Sequence, residues 1–592
     1  MSPPDAPSLF QQHLITQISE AFKIIRQSKG AGKRSIRLSL LRNFTAEYLT
    51  PFIRAYFARA GIEAKVDIGG FDTVQQDIFE GRLLGECDLL VMALDLQGLA
   101  PDWIAGGEAL RGVAERVTGL VSSALERVAV PVVINTFIRP LHDSAGLNAL
   151  TDDGSADAAV LDINRALRDF ARERRGRVVL VDWERLAMMA GAEGTFDPRM
   201  AYMARSPFKP PFLSAYAHEI FKIGNALRGG AKKCLILDCD NTLWGGVVGE
   251  VGVEGIALDP NSYPGRAFYD FQRSVLRLGE RGVMLALCSK NNPEDALAVF
   301  DKHPDCLIKR EHLVGWRINW EDKERNIAEM VREFNIGLDA VVFVDDNPTE
   351  CARVRSFLPD ITVRQVPEAL FTLPALLDAE GLFSALAVTE EDRGRSKMYQ
   401  AESRRQEAEA GFASVEDFLA SLELSACIQR FTVEHPAQLA RVAQLTQKTN
   451  QFNLTTRRYS EAEIIKFAGD PHSLVMGMTV ADRFGDFGLT GVVIAHVAEK
   501  TARIDSFLMS CRVLGRNLEK EFATRAIETL RREWGVDTVA AEYIPTAKNS
   551  QVAKFWANFG LQVSQDTLER TSYSSNVNDI KLVHIPYIKV NP

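Results

Sequence analysis

Two aspartates two positions apart, Asp238 and Asp240, follow the apolar run Cys234-Leu235-Ile236-Leu237 and precede the turn Gly245-Gly246. Side chains alternate along an extended chain, so this spacing puts both carboxylates on one side of a strand end. Such a pair suits phosphoryl chemistry. One carboxylate attacks phosphorus while its neighbour manages the proton of the leaving group.

Three more positions extend the set. Ser289 follows the apolar stretch 283–288, Lys323 opens a helix-prone segment, and Asp345-Asp346 closes the run Val341-Val342-Phe343-Val344. Each falls where a strand or helix end meets a loop, the usual ligand crevice of an open α/β sheet. A carboxylate nucleophile is repelled by phosphate. Mg2+, held by one or two carboxylates plus phosphate oxygens, reduces that repulsion. Ser289 supplies a hydrogen bond to the transferring group and Lys323 a positive charge. Lys290, directly after the serine, competes with Lys323 for that role and reads as a solvated lysine. The inserts between the motifs are too short for a substantial lid domain. The site is therefore open, which suits a substrate carried on a macromolecule.

The elements that must position these groups recur along the chain. The 592 residues imply about three or four domains. Apolar runs at 36–41, 87–94, 130–135 and 177–182, with helical stretches at 45–60 and 156–174, give a βαβ pattern in the first region. Runs at 234–237, 283–288, 306–309, 340–344 and 361–366 predict a second doubly wound domain. A charged segment over 390–411 reads as a connecting helix pair. The last region reads as α+β, with strands at 474–480, 491–496, 502–507, 538–543 and 579–586 and helices at 518–534 and 550–559. The predicted class is multidomain α/β, divided as 1–228, 229–380 and 381–592.

Composition narrows the partners. The net charge is −9 without a strongly basic block, which argues against nucleic acid as the main partner. No apolar stretch reaches the roughly 18 residues of a membrane span. Residues 1–10 lack a basic segment followed by an apolar core, so no signal peptide is expected. The eight cysteines form no C-x-x-C pair, so neither a zinc site nor a disulfide framework is indicated. The expectation is a reducing, cytoplasmic location.

The order Asp238-x-Asp240-x-Thr242, Ser289, Lys323, Asp345-Asp346 is that of a haloacid-dehalogenase-type phosphotransferase. The run Lys232-Lys233-Cys234-Leu235-Ile236-Leu237-Asp238-Cys239-Asp240-Asn241-Thr242-Leu243-Trp244-Gly245-Gly246 resembles the FkbH-like branch of that superfamily. So do Cys288-Ser289-Lys290-Asn291-Asn292, Asn319-Trp320-Glu321-Asp322-Lys323 and Phe343-Val344-Asp345-Asp346-Asn347-Pro348. The likeness continues through Asn450-Gln451-Phe452-Asn453-Leu454-Thr455-Thr456-Arg457-Arg458-Tyr459, Asp482-Arg483-Phe484-Gly485-Asp486 and Ser510-Cys511-Arg512-Val513-Leu514-Gly515-Arg516.

The resemblance implies a glyceryltransferase/phosphatase. Such a protein dephosphorylates 1,3-bisphosphoglycerate and loads a D-glyceryl unit onto the phosphopantetheine arm of a holo acyl carrier protein, for polyketide extender units or tetronates. Asp238 is then the nucleophile and Asp240 the acid/base. Asp345 is a Mg2+ ligand with Asp346 supporting it, and Asp238 and Asp240 complete the metal candidates. Thr242, Ser289 and Lys323 hold phosphate. Cys239 stands where that family more often has Leu, with its side chain on the face opposite the acids. Two other readings remain: a Mg2+-dependent phosphatase for another metabolite, and a non-catalytic docking module.

The flanking regions carry resemblances of their own. A strand followed by Arg512-x-x-Gly515-x-Asn517 and the helix 518–534 resembles an N-acetyltransferase (GNAT) fold. Thr546-Ala547-Lys548-Asn549 and Phe555-Trp556-x-x-Phe559-Gly560 match its late part. In that fold the loop N–H groups and helix N-terminus receive the pyrophosphate of coenzyme A, which makes Arg512, Gly515 and Asn517 the candidate cofactor contacts. Asn517 replaces the usual Gly or Ala, so a groove for a phosphopantetheine arm alone is the alternative. Cys511 is either a thioester-forming nucleophile or a packing cysteine. Arg457, Arg458 and Arg483 either dock an acidic carrier or phosphate, or form a solvated basic face. His435, His472 and His496 read as surface or satisfied core residues. In the first region, Ser39 after a strand and Asn135 at a strand end look like an SGNH-hydrolase-type fold. Asp197-Pro198-Arg199-Met200 lacks the histidine of an active Asp-x-x-His, and His218 falls in a helix, so a degenerate scaffold or docking domain is expected.

Overall fold

The computed structural model describes residues 14–28, 34–378, 380–386, 412, 414–546 and 548–591. The helix pair expected over 390–411 lies outside the described residues, as do Ala547 and the side chain of Cys511. The chain forms two compact units, Met1–Arg228 with Ala379–Ala387, and Gly229–Asp378 with Val388–Pro592.

The first unit is a five-stranded, all-parallel sheet. Its strands are β1 (Arg34–Arg42), β2 (Ile62–Phe71), β3 (Leu89–Ala93), β4 (Val132–Asn135) and β5 (Val178–Val181). Their spatial order is β2-β1-β3-β4-β5, the flavodoxin-type arrangement of a doubly wound sheet. β3 and β4 are buried along their whole length, as expected of continuous apolar runs covered on both faces. The edge strand β2 carries Glu63, Lys65 and Asp67 between its apolar residues, and that dilution hid it from the sequence reading. Ser39 lies inside β1, not after it. It is buried, and its hydroxyl donates to the Leu83 carbonyl. Asn135 ties β4 to the end of β3 by accepting from Leu94 N and donating to Leu94 O. Asp197 caps the helix Pro198–Ala204, and His218 is buried in the helix Pro210–Leu227 against the Tyr56 ring. These residues hold the scaffold together through their own contacts.

The second unit begins with another five-stranded, all-parallel sheet. β6 (Cys234–Leu237), β7 (Met284–Ser289), β8 (Leu313–Ile318), β9 (Val341–Asp345) and β10 (Thr362–Gln365) run in the order β10-β9-β6-β7-β8. The segment 306–309, expected as a strand, is a buried loop, and the edge strand is β8 instead. The reason is Gln272, fully buried on the helix Gly265–Glu280. Its Oε1 accepts from Leu307 N at 2.9 Å and Ile308 N at 3.1 Å, and its Nε2 donates to Leu243 O at 2.9 Å. One side-chain amide thus replaces a strand ladder.

The remaining strands form a mostly antiparallel sheet. β11 (Ser425–Arg430) is followed by helices Pro436–Lys448 and Glu461–Gly469, with β12 (Phe452–Asn453) between them. Then come β13 (Ser473–Asp482), β14 (Gly485–Ala498), β15 (Thr501–Met509), the helix Leu518–Trp534, β16 (Thr538–Tyr543), β17 (Val563–Asp566), β18 (Thr571–Asn576) and β19 (Lys589–Asn591). β15 and β16 pair in parallel, the topology that a crossover helix requires. The expected strand 579–586 is absent. Val583 N is taken by the Thr524 hydroxyl and Ile585 N by the Glu521 carboxylate, both on the helix beneath, so no neighbouring strand receives them. The expected helix 550–559 splits into the turns Ser550–Val552 and Phe555–Asn558.

This sheet's loops meet the N-terminal edge of the preceding sheet. Lys233, just before β6, donates to Lys448 O, and Asp339, just before β9, pairs with Lys548. Among the described residues no helix is long and apolar enough to cross a membrane.

Replacing Gln272 with Leu keeps the volume but strips two buried N–H groups and one carbonyl of their partner. The expected cost is about 2–4 kcal/mol, read as a lowered midpoint in urea unfolding.

Candidate active site

The parallel sheet β6 to β10 delivers its chemistry at the C-terminal ends of three adjacent strands. β6 lies between β7 and β9, and Asp238 continues its pairing by donating its backbone N–H to Val344 O at 3.0 Å. The chain then turns sharply. Thr242 N and Leu243 N both reach Cys239 O, Asn241 adopts a left-handed φ of 54°, and its side-chain oxygen receives Gly246 N at 2.9 Å. Asn tolerates that conformation better than most residues. Gly245 is needed for space, because a Cβ there would meet the Phe268 ring at 2.9 Å.

Asp238, Asp345 and Lys323 meet in a buried triangle. Lys323 Nζ lies 2.6 Å from Asp238 Oδ1 and 2.6 Å from Asp345 Oδ2. Lys323 is 4% exposed, so this is a nearly dry ion cluster. Its backbone opens the helix Lys323–Glu333, with Asp322 in the N-cap position. Ser289, buried at the end of β7, is among the groups that act on Asp238. Burial pushes the Asp238 carboxyl up, with Lys323 and Ser289 pulling against it. Asp345 is raised by burial and by Asp238, and Asp346 by burial and by Asp345. Burial alone would lower the Lys323 ammonium, but the two carboxylates more than offset this and hold it above its ordinary range.

Carboxylate oxygens of Asp238, Asp345 and Asp346 lie within 4.8 Å of one another. Three carboxylates against one ammonium leave an excess of negative charge in a desolvated place. That donor set fits a hard divalent cation. The Asp240 carboxylate is not part of this group. It is held elsewhere: Oδ1 accepts from Trp244 Nε1 at 2.8 Å and Val248 N at 3.1 Å, and Oδ2 from Asn291 Nδ2 at 2.8 Å. Thr242 is fully buried, and its Oγ1 has no hydrogen-bond partner.

Sequence reading did not assign roles to Asn291 and Trp244, the residues that orient Asp240. Asn291 follows Ser289 by two positions, so the alternation that placed the two acids together was the available signal. Lys290 is not a site lysine. Its Nζ pairs with Glu350 at 2.9 Å. Cys239 and Cys288 are buried, and burial lifts both thiols, Cys288 to about 12, as befits packing residues.

In the C-terminal sheet the candidates are arranged differently. After β15 the chain makes the short turn Cys511–Val513, Gly515 takes a φ of 80°, and Asn517, at φ 59°, precedes the helix Leu518–Trp534. Asn517 Nδ2 donates to the Tyr587 hydroxyl at 2.7 Å, and Arg512 Nε donates to Ser510 Oγ at 2.9 Å. Glu519 sits in the first helical turn, where burial raises its carboxyl.

The stretch 450–459 has an architectural task. β15 and β16 pair only over Thr501–Ile504 and Thr538–Ala541. Beyond that, β12 pairs Phe452 with Met509 and Asn453 with Leu508. Leu454 then receives Ile544 N at 2.8 Å. Arg457 is clamped between Asp505 and Glu542, each at 2.7 Å, and the Tyr459 hydroxyl donates to Asp505 at 2.6 Å. Arg458 donates to Asn450 Oδ1 and Thr446 O. Arg483 is exposed beside the Phe484 ring. His435 accepts from Thr432 N, His496 bonds Ser473 Oγ, and His472 is exposed.

No protein-family model and no curated protein matches the chain. Among solved structures, the N-terminal part of the protein BF1531 from Bacteroides fragilis, containing a phosphatase domain complexed with Mg, is similar. It shows 25% identity and a TM-score of 0.58 over 62% of this chain and 99% of that one. Smaller overlaps, each over 26% of this chain, involve two acetyltransferases. The ribosomal-protein-S18-alanine N-acetyltransferase of Escherichia coli shows 13% identity and a TM-score of 0.20 over 94% of its length. A GNAT-family acetyltransferase of Streptococcus pneumoniae shows 10% identity and a TM-score of 0.21 over 98% of its length. The chain is multidomain α/β, with a haloacid-dehalogenase-like parallel sheet carrying the acids and a mostly antiparallel sheet after it.

Lys323→Met should leave Asp238 and Asp345 buried without their cation and cost about 3–5 kcal/mol. Urea unfolding followed by tryptophan fluorescence reads that loss. Adding Asp345→Asn to the same protein should recover part of it, because one of the stranded charges is gone.

Proposed function

We propose that the chain is a Mg2+-dependent phosphatase and acyl transferase that removes phosphate from 1,3-bisphosphoglycerate and loads a D-glyceryl unit onto a holo acyl carrier protein. The observation that carries the phosphoryl half is the buried Asp238–Lys323–Asp345 triangle, with Ser289 beside it, at the ends of adjacent parallel strands. The Bacteroides structure with Mg supports the cation.

Asp238, Asp345 and Asp346 would hold the metal, which when bound screens the repulsion between carboxylate and phosphate. The Asp238 oxygen attacks phosphorus, and the bond from phosphorus to the leaving oxygen breaks. Asp240, fixed by Trp244, Val248 and Asn291, delivers a proton to that oxygen. Water then attacks the phosphorylated Asp238. Asp240 takes the water's proton, and the bond between Asp238 and phosphorus breaks. Ser289 and Lys323 serve the equatorial oxygens, and the Thr242 hydroxyl gains the partner it lacks. In the C-terminal domain the Cys511 thiolate attacks the C1 acyl-phosphate carbonyl, the C1–oxygen bond breaks and that phosphate leaves; the carrier's thiolate then attacks the thioester and the bond to the Cys511 sulfur breaks, so the phosphate that Asp238 removes is the ester on the C3 oxygen.

The deciding experiment incubates the protein with 1,3-bisphosphoglycerate, Mg2+ and holo carrier protein. Phosphate release with a glyceryl mass gain on the carrier is expected. Phosphate without a mass gain leaves the plain phosphatase, and neither leaves the docking module. Chelation should stop phosphate release and added Mg2+ restore it. Asp238→Asn should abolish it, and Asp240→Asn should lower kcat about 10²–10⁴-fold. A covalent glyceryl adduct that persists by intact mass in Cys511→Ser would remove the thioester role from that residue.

A further inference from the structure

The three donors that hold Asp240 are shared unevenly between its two oxygens. Oδ1 accepts from Trp244 Nε1 at 2.8 Å and from Val248 N at 3.1 Å. Among the described residues Oδ2 accepts only from Asn291 Nδ2, at 2.8 Å. An ionised carboxylate offers about four lone-pair sites, two on each oxygen. Both sites of Oδ1 are therefore taken, and one on Oδ2 is left. Asp240 itself is partly exposed, while Trp244 is fully buried and Asn291 is 4% exposed.

The two side-chain donors are themselves fixed. The Trp244 indole packs edge-on against the Phe300 ring, with centroids 5.5 Å apart, on the helix Pro293–Lys302. The Asn291 amide has one satisfactory orientation. Its Oδ1 accepts at 2.9 Å from the backbone N–H of Asn292, the N-cap residue of that same helix. Turned over, the amide would set its NH2 against an N–H and its oxygen against a carboxylate. One short loop thus serves both acids, with Ser289 acting on Asp238 and Asn291 on Asp240.

We propose that Oδ2 is the oxygen of Asp240 that carries the proton, and that Asn291 is the positioning residue that aims it, so that the site can expel leaving groups that must depart as neutral alcohols. The proposal rests on the phosphatase reading of the acids and adds the route of the proton to it. The proton passes from Oδ2 to the ester oxygen as the bond from that oxygen to phosphorus breaks. In the second step it returns to Oδ2 from the attacking water. Trp244 and Val248 stay on Oδ1 throughout. Without the Asn291 donor, the carboxylate loses the one contact that sets its reactive oxygen.

The test compares 3-phosphoglycerate, whose alkoxide needs a proton as it leaves, with 4-nitrophenyl phosphate, whose phenolate leaves without one. Both are assayed with Mg2+ and the full chain. Asn291→Asp keeps the side-chain volume and the acceptor for Asn292 N but removes the donor. It should lower kcat on 3-phosphoglycerate about 10²-fold and on 4-nitrophenyl phosphate far less. Asn291→Ala should show the same ordering. Trp244→Phe, which leaves Oδ2 and its donor in place, should change the ratio of the two rates less than either. Losses of equal size on both esters, or none on either, would overturn the proposal, because Asn291 would then act only through the shape of the Ser289 loop or not at all. A larger change of the ratio in Trp244→Phe would overturn it too, by putting the proton on Oδ1. A wild-type protein that hydrolyses neither ester would remove the phosphatase reading and the proposal with it. One that hydrolyses both, with the ratio fixed across the variants, would remove the proposal alone.

Discussion

One ammonium group between two carboxylates organises the catalytic half of this protein. Lys323 reaches Asp238 and Asp345 from a helix start, while the acids come from the ends of β6 and β9. Taking three charges out of water is expensive, and the arrangement survives only where each is met at hydrogen-bonding distance. That requirement fixes which strands must be neighbours, where the helix must begin, and how tightly the turn after Asp238 must close.

The three loops around the triangle are bound to each other by a second tier of charges. Lys290 beside Ser289 pairs with Glu350, on the helix that follows Asp345-Asp346. Arg353 on that helix pairs with Asp322 at 2.9 Å and Glu324 at 2.6 Å, on either side of Lys323. The serine, lysine and aspartate loops are therefore tied to one another by charged pairs. Partly exposed pairs of this kind contribute little to overall stability. Their value here is geometric, because phosphoryl chemistry is sensitive to small displacements of the groups that surround phosphorus.

Much of this was legible in the chain. Buried parallel strands are continuous apolar runs, so β6, β7 and β9 announced themselves, and the polar residue at each end followed by position. What was not legible turned on partners distant in sequence. The run 306–309 has the composition of a strand, yet one glutamine on a remote helix satisfies its backbone. The stretch 579–586 fails as a strand for the same kind of reason, through Thr524 and Glu521. The separation of Asp240 from the other acids was equally hidden. Alternation puts Asp238 and Asp240 on one side, but a tryptophan, an asparagine and a backbone amide turn the second carboxylate away from the cluster. Nor does anything in 450–459 itself reveal that it fills the gap between β15 and β16, since the gap is a property of the assembled sheet.

The loops beside β12 and β16 touch the second parallel sheet at its N-terminal edge, through Lys233 and Asp339. The acids lie at the other edge, one strand length away, and four or five residues of strand span about 13–17 Å. On the proposed function, a small molecule released beside Asp238 would have to cross that thickness through water, where dilution competes with capture. A tether longer than the sheet is thick removes that competition by keeping the cargo at high effective concentration throughout its journey.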